Sequence, residues 1–91
     1  MKIRKDYIPR QIADEYLLIP VGQAALSVKG LIRISESGDL LCRRLQTECS
    51  RDELVEALLA EYEVERQVAE TDVDEFLSRM RMLGKLIEEE P

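Results

Sequence analysis

The 91-residue chain is 45% hydrophobic and 35% charged, has no histidine and no tryptophan, and carries a net charge of −6. A chain this short supports one modest core, here necessarily aliphatic, and its acidic balance argues against nucleic acid and anionic membrane surfaces as partners. Residues 1–60 hold nine Lys+Arg and nine Asp+Glu, whereas residues 61–91 hold four and ten, so the negative charge sits at the C-terminal end.

The opening MKIRKDYIPR lacks the apolar central run of a secretory signal. No stretch approaches the ~20 apolar residues of a membrane span, so a cytoplasmic protein is expected. Within YIPRQIA, Pro9 lacks the ladder donor and confines that segment to an edge strand. YLLIPV, at 16–21 and bounded by Gly22, fits a buried strand. After the loop GQAALSVKG comes LIRI at 31–34, where Arg33 interrupts Leu31, Ile32 and Ile34. That interruption is expected of a sheet with one accessible face.

The remainder has helical periodicity. Ser35 is a credible N-cap, with Glu36 and Asp39 in the first turn, although Gly38 weakens that turn. Leu40, Leu41, Cys42 and Leu45 make its buried side, and Arg43 and Arg44 its wet side. Ser50 and Glu53 form a capping-box pattern ahead of Leu54, Val55, Leu58, Leu59 and Tyr62. A turn near Val64 leads to the longest helix, expected over 66–83, with an apolar stripe of Ala69, Val73, Phe76, Leu77, Met80 and Leu83. Gly84 is a C-terminal stop; Lys85, Leu86 and Ile87 dock, and the acidic tail 88–91 frays.

The order β, β, β, α, α, α predicts a single α+β domain over 1–91: a winged-helix-like, three-stranded antiparallel sheet followed by a three-helix bundle. Catalytic signals are scarce. Without histidine the commonest general base and metal ligand are missing, and Cys42 and Cys49, with no CxxC, cannot close a zinc site alone. Cys42 is expected as core filler and Cys49 as a loop thiol. The four glycines are too dispersed for a phosphate loop. Asp72, Asp74 and Glu75 could form an acid/base pair, but fit solvated carboxylates near a helix start better. Neither enzymatic activity nor a cofactor or metal is expected. The remaining physical candidate is the strand LIRI, whose backbone would template an added strand if it lies at the sheet edge.

LIRISESGDLL, SRDELVEALLAEYEV and ETDVDEFLSRMRMLGKLI, in this order, resemble the PqqD-like family, named for coenzyme PQQ (pyrroloquinoline quinone) synthesis protein D. Matching positions are Ile34, Glu36 and Gly38 at the strand–helix junction, Glu53 and Leu54 in the second helix, and Tyr62 and Val64 at the turn. Asp72, Val73, Phe76, Leu77, Gly84 and Ile87 match the last helix and its end. Ser35 stands where the family usually has Asn, and Cys42 where Trp is frequent. Both are workable physical equivalents that leave the pathway open between PQQ formation and another peptide modification.

The resemblance implies a non-catalytic adaptor that captures the leader of a ribosomal precursor peptide by strand addition. It would present that peptide to a modifying enzyme, often a radical S-adenosylmethionine enzyme. Mapped onto this chain, the backbone of Leu31, Ile32, Arg33 and Ile34 would pair with the leader. Val73, Phe76 and Met80 would floor the groove, with Asp72 and Arg79 on its rim. Core packing is the competing role for the three apolar residues, and solvated surface for Arg33 and Arg79. A proline at Ile32 or Ile34 would abolish capture if that amide faces the leader. Two alternatives stay open: a winged-helix-like DNA-binding regulator, disfavoured by the acidic last helix, and a homodimer formed through the same sheet edge.

Overall fold

The computed structural model describes residues 1–26 and 30–88. The elements run β1 (Lys2–Ile3), β2 (Tyr7–Ile12), β3 (Glu15–Pro20), a 3-10 turn (Gly22–Leu26), β4 (Ile32–Ile34), α1 (Glu36–Arg44), α2 (Arg51–Glu61), α3 (Arg66–Met82) and β5 (Leu86–Ile87). β2, β3 and β4 form an antiparallel sheet in that order, and the three helices follow, giving the expected α+β arrangement. Leu18 and Ile34 from the sheet close against Leu41, Leu45, Leu54, Val73, Leu77 and Met80 from the helices.

Pro9 fixes the phase of the sheet. In an antiparallel ladder, successive residues turn their backbone groups alternately toward and away from the neighbouring strand. Pro9 has no N–H to give to Leu18, its partner on β3, so the Leu18 backbone groups turn to β4 and those of Leu17 to β2. The bond from Val21 N–H to the Asp6 carbonyl (2.8 Å) has the same parity, odd-numbered residues of β3 facing β2. On β4, therefore, Ile32 and Ile34 bond to β3 through their partners Leu18 and Tyr16, and Arg33, opposite Leu17, points its N–H and carbonyl away from the sheet.

The helix ends follow local chemistry. Ser35 Oγ accepts from Gly38 N–H (3.0 Å) at the start of α1. At α2 both halves of the capping box are made: Glu53 N–H to Ser50 Oγ (3.1 Å) and Ser50 N–H to Glu53 Oε1 (2.8 Å). α3 ends in a Schellman turn, with Gly84 at φ +71 and its N–H on the Arg81 carbonyl (3.1 Å), while Lys85 N–H reaches the Met80 carbonyl (3.0 Å).

Several expectations are corrected. β1 and β5 pair as a separate two-stranded ribbon, Lys2 opposite Ile87 and Ile3 opposite Leu86. Two-residue strands are too short for a period-2 pattern, and tertiary bonds hold them: Ile3 N–H to the Leu45 carbonyl (2.9 Å) and Arg4 N–H to the Lys85 carbonyl (3.0 Å). Leu31 precedes β4 rather than belonging to it and is 52% exposed. α3 stops at Met82, and Leu83, its C-cap, keeps a helical conformation but is 41% exposed at the end of the stripe. Cys49 lies in the α1–α2 loop as expected, yet its side chain is buried, since its N–H bonds the Met1 carbonyl and the chain start folds over it. In the acidic tail, Glu88 is held by Arg81 through Nε (2.5 Å) and Nη2 (3.1 Å); the remainder of the tail lies outside the described residues, as do residues 27–29 of the loop before β4.

Candidate peptide-binding edge

The hydrophobic pattern that buries Ile34 leaves Arg33 on the exposed side of β4, its side chain within 3.3 Å of Glu15 across the sheet. Among the described residues no strand pairs with the outer edge of β4. The opposite edge, β2, carries Pro9 and so is blunted as a template. Among the described residues the β4 edge has one polar side-chain occupant: Arg79 of α3 donates from Nη2 to the Arg33 carbonyl at 3.1 Å. That bond joins the strand to α3 and identifies the Arg33 carbonyl as the acceptor facing the groove.

Beside this contact a cleft of ≈ 280 Å³ opens between the start of α1 and the face of α3. Ser35, Gly38 and Leu41 form one wall, and Asp72, Glu75, Phe76 and Arg79 the other. Gly38 permits the approach. A Cβ there would lie 3.2 Å from Ser35 Oγ, 3.4 Å from the Ile34 Cβ and 3.7 Å from the Phe76 ring. The glycine that weakens α1 by propensity therefore has a packing role.

The expected site residues separate into two groups. Arg33, Asp72, Phe76 and Arg79 come together around the edge and cleft, with Ile34 at their base. Val73 and Met80 are 0% exposed and belong to the core, so they support the cleft wall from beneath instead of lining it. Phe76 alone of the three apolar candidates is half-buried and reaches the cleft. Leu31 and Ile32 flank Arg33, the latter half-buried with its backbone committed to β3. The sequence reading missed Ser35, Gly38 and Leu41 as cleft residues, because it assigned them to capping and packing; the Ser-x-x-Gly spacing at the strand–helix junction was the available signal.

The carboxylates of α3 also require correction. Asp72, Asp74 and Glu75 lie about two turns inside the helix, beyond reach of its N-terminal dipole. Asp74 is taken up by Arg51 of α2, at 2.6 Å from Nε and 3.0 Å from Nη2, and this pairing holds its carboxyl below the usual range. Burial pushes the Cys42 thiol up to about 12, so it stays protonated at neutral pH and is no nucleophile. Among the described residues no group of three His, Cys, Asp or Glu side chains could hold a metal ion, and no helix is long and apolar enough to cross a membrane.

Two solved structures share the fold. One, "TbiB1 in Complex with the TbiA(beta) Leader Peptide", matches with a TM-score of 0.74 at 24% identity, covering 100% of each chain. The other, "Lasso peptide synthetase B1 complexed with the leader peptide", matches with a TM-score of 0.70 at 21% identity, covering 96% of each. No curated protein matches the sequence. The family model for coenzyme PQQ synthesis protein D (PqqD) matches residues 10–86, from the middle of β2 to the first residue of β5, and the chain belongs to the PqqD family.

Proposed function

We propose that this protein is a non-catalytic adaptor that binds the leader segment of a ribosomal precursor peptide by strand addition to β4. The observation that carries the reading is the unpaired outer edge of β4, with the Arg33 N–H and carbonyl directed outward beside the Phe76 cleft. Main-chain pairing supplies affinity with little sequence demand, and the cleft selects side chains. Membership of the PqqD family supports it, as do two proteins of the same fold whose structures contain leader peptides.

In this reading, Leu31 and Arg33 offer the backbone groups that pair with the leader. Phe76 packs against an apolar leader side chain, while Val73 and Met80 hold Phe76 in place. Arg79 and Arg33 offer charge-assisted bonds to a leader carboxylate, and Asp72 bounds the cleft. The bound peptide is then presented to a modifying enzyme, for which a radical S-adenosylmethionine enzyme is the proposed class. The test is titration of the isotopically labelled protein with the leader of a short precursor encoded beside its gene. Amide shifts concentrated at Leu31, Arg33, Phe76 and Arg79 are expected; shifts confined to α1 would remove the proposed site. Pairing of two copies through the same edge is distinguished by concentration-dependent sedimentation without peptide.

A further inference from the structure

A second cleft, of ≈ 310 Å³, continues the first toward the α2–α3 turn and shares Ser35, Ser37 and Asp72 with it. Its floor is apolar: Leu58 is buried, Tyr62 half-buried, and Val64 remains 40% exposed. Its charged lining residues are Glu36 and Asp72, and Glu75 stands over the adjoining cleft. None of these three carboxylates joins an ion pair among the described residues, whereas Asp39, Glu56, Asp74 and Glu88 all do. The Tyr62 phenol is pushed up, first by burial and then by the neighbouring carboxylates of Glu36 and Glu61. The one cation on this wall, Arg79, is turned to the Arg33 carbonyl at the far end.

We infer that this second cleft is a specificity subsite for a basic residue, Lys or Arg, next to an apolar one, in the part of the bound peptide that precedes its strand-forming segment. The inference rests on the peptide-binding reading above and deepens it. Direction follows from the sheet. β4 runs from Ile32 toward Ser35 and both pairings in its sheet are antiparallel, so a strand added antiparallel to β4 brings its N-terminal side over Ser35 and into the second cleft. The apolar side chain covers Leu58, Tyr62 and Val64, and the cation sits between Glu36 and Asp72. Charge of this sign also selects by exclusion, because an acidic residue at that point meets unneutralised carboxylates.

The test is selection of binders from a displayed library of random 16-residue peptides on the whole protein, followed by affinity measurement against wild type and the Glu36→Gln/Asp72→Asn variant. Both substitutions are isosteric and exposed, and the melting temperature checks the fold. Selected peptides are expected to carry Lys or Arg beside an apolar residue ahead of the paired segment. They should lose about tenfold in affinity to the variant at low salt, with the loss shrinking as salt rises. Binders that perturb the Arg33 amide but are neutral or acidic at that point, and bind both forms equally, overturn the inference and leave the function standing. A selection yielding no binder, or only binders that leave β4 unperturbed, overturns both.

Discussion

Arg79 Nη2 lies 3.1 Å from the carbonyl oxygen of Arg33, so the helix that borders the groove is hydrogen-bonded to the outward edge of the strand that would receive a peptide. The residue whose backbone faces the groove is thus Arg33. The sequence predicts pairing backbone at all of Leu31 to Ile34, with a proline at Ile32 or Ile34 as the test if that amide faces the leader. The ladder phase set by Pro9 turns both of those amides to β3. Arg33→Pro removes a donor that β3 does not use, so peptide affinity is expected to fall at least tenfold while the helical circular dichroism is kept. Ile32→Pro and Ile34→Pro each remove a donor to β3 and should cost about 1–3 kcal/mol of stability. Titration and denaturant melts of the three variants side by side check the phase. Equal stability losses in all three would contradict it.

Met80 and Phe76 separate core from groove. Met80 is fully buried, and Met80→Ala is expected to cost about 2–5 kcal/mol through lost contacts and the cavity left behind. Phe76 is half-buried, so Phe76→Ala should cost less stability and more peptide affinity, about tenfold at fixed folded fraction. Urea melts paired with calorimetric titration distinguish the two. The reverse ranking would place Phe76 in the core and take it out of the site.

Acid should loosen the α2–α3 contact and the start of α2. The Asp74 carboxyl is lowered by its bond to Arg51, and that of Glu53 by the Ser50 N–H it accepts. A carboxylate lowered in the folded state contributes stability fully above its unfolded pKa and loses it as pH falls through the folded value. Wild type should therefore weaken progressively below the ordinary carboxylate range, and Asp74→Asn and Glu53→Gln should each flatten that decline while lowering stability at pH 7. Thermal melts from pH 7 to pH 3 measure both effects.

The β2–β3 turn holds a correctable strain. Ala13 has φ +56, a left-handed conformation that crowds a Cβ, in the two-residue connection between Ile12 and Glu15. Ala13→Gly is expected to stabilise by about 1 kcal/mol, a rise in Tm of roughly 4–8 °C. Peptide affinity should be unchanged, since Ala13 contributes no group to the β4 edge or to the Phe76 cleft. A lowered Tm would show that the turn is not strained.

The sequence alone determined the elements whose signals are local. Ser35 and Ser50 caps, the Glu53 capping box, the stripe from Ala69 to Met80 and the Gly84 stop each arise from side chains within a turn or two of one another. Pro9 likewise confined its strand to an edge, because a missing donor is visible without knowing the partner. The tertiary structure decided everything that depends on which surfaces meet. The β1–β5 ribbon joins the two ends of the described chain, 83 residues apart at the Ile3–Leu86 pair, and no local period encodes it. Val73 and Met80 share a helical stripe with Phe76, yet only tertiary packing leaves Phe76 half-buried at the cleft and closes over the other two. The outward turn of the Arg33 backbone, the bond from Arg79 and the carboxylate-rimmed hollow at Glu36 and Asp72 exist only because register and helix placement bring distant residues within a few ångströms, where hydrogen bonding and charge act.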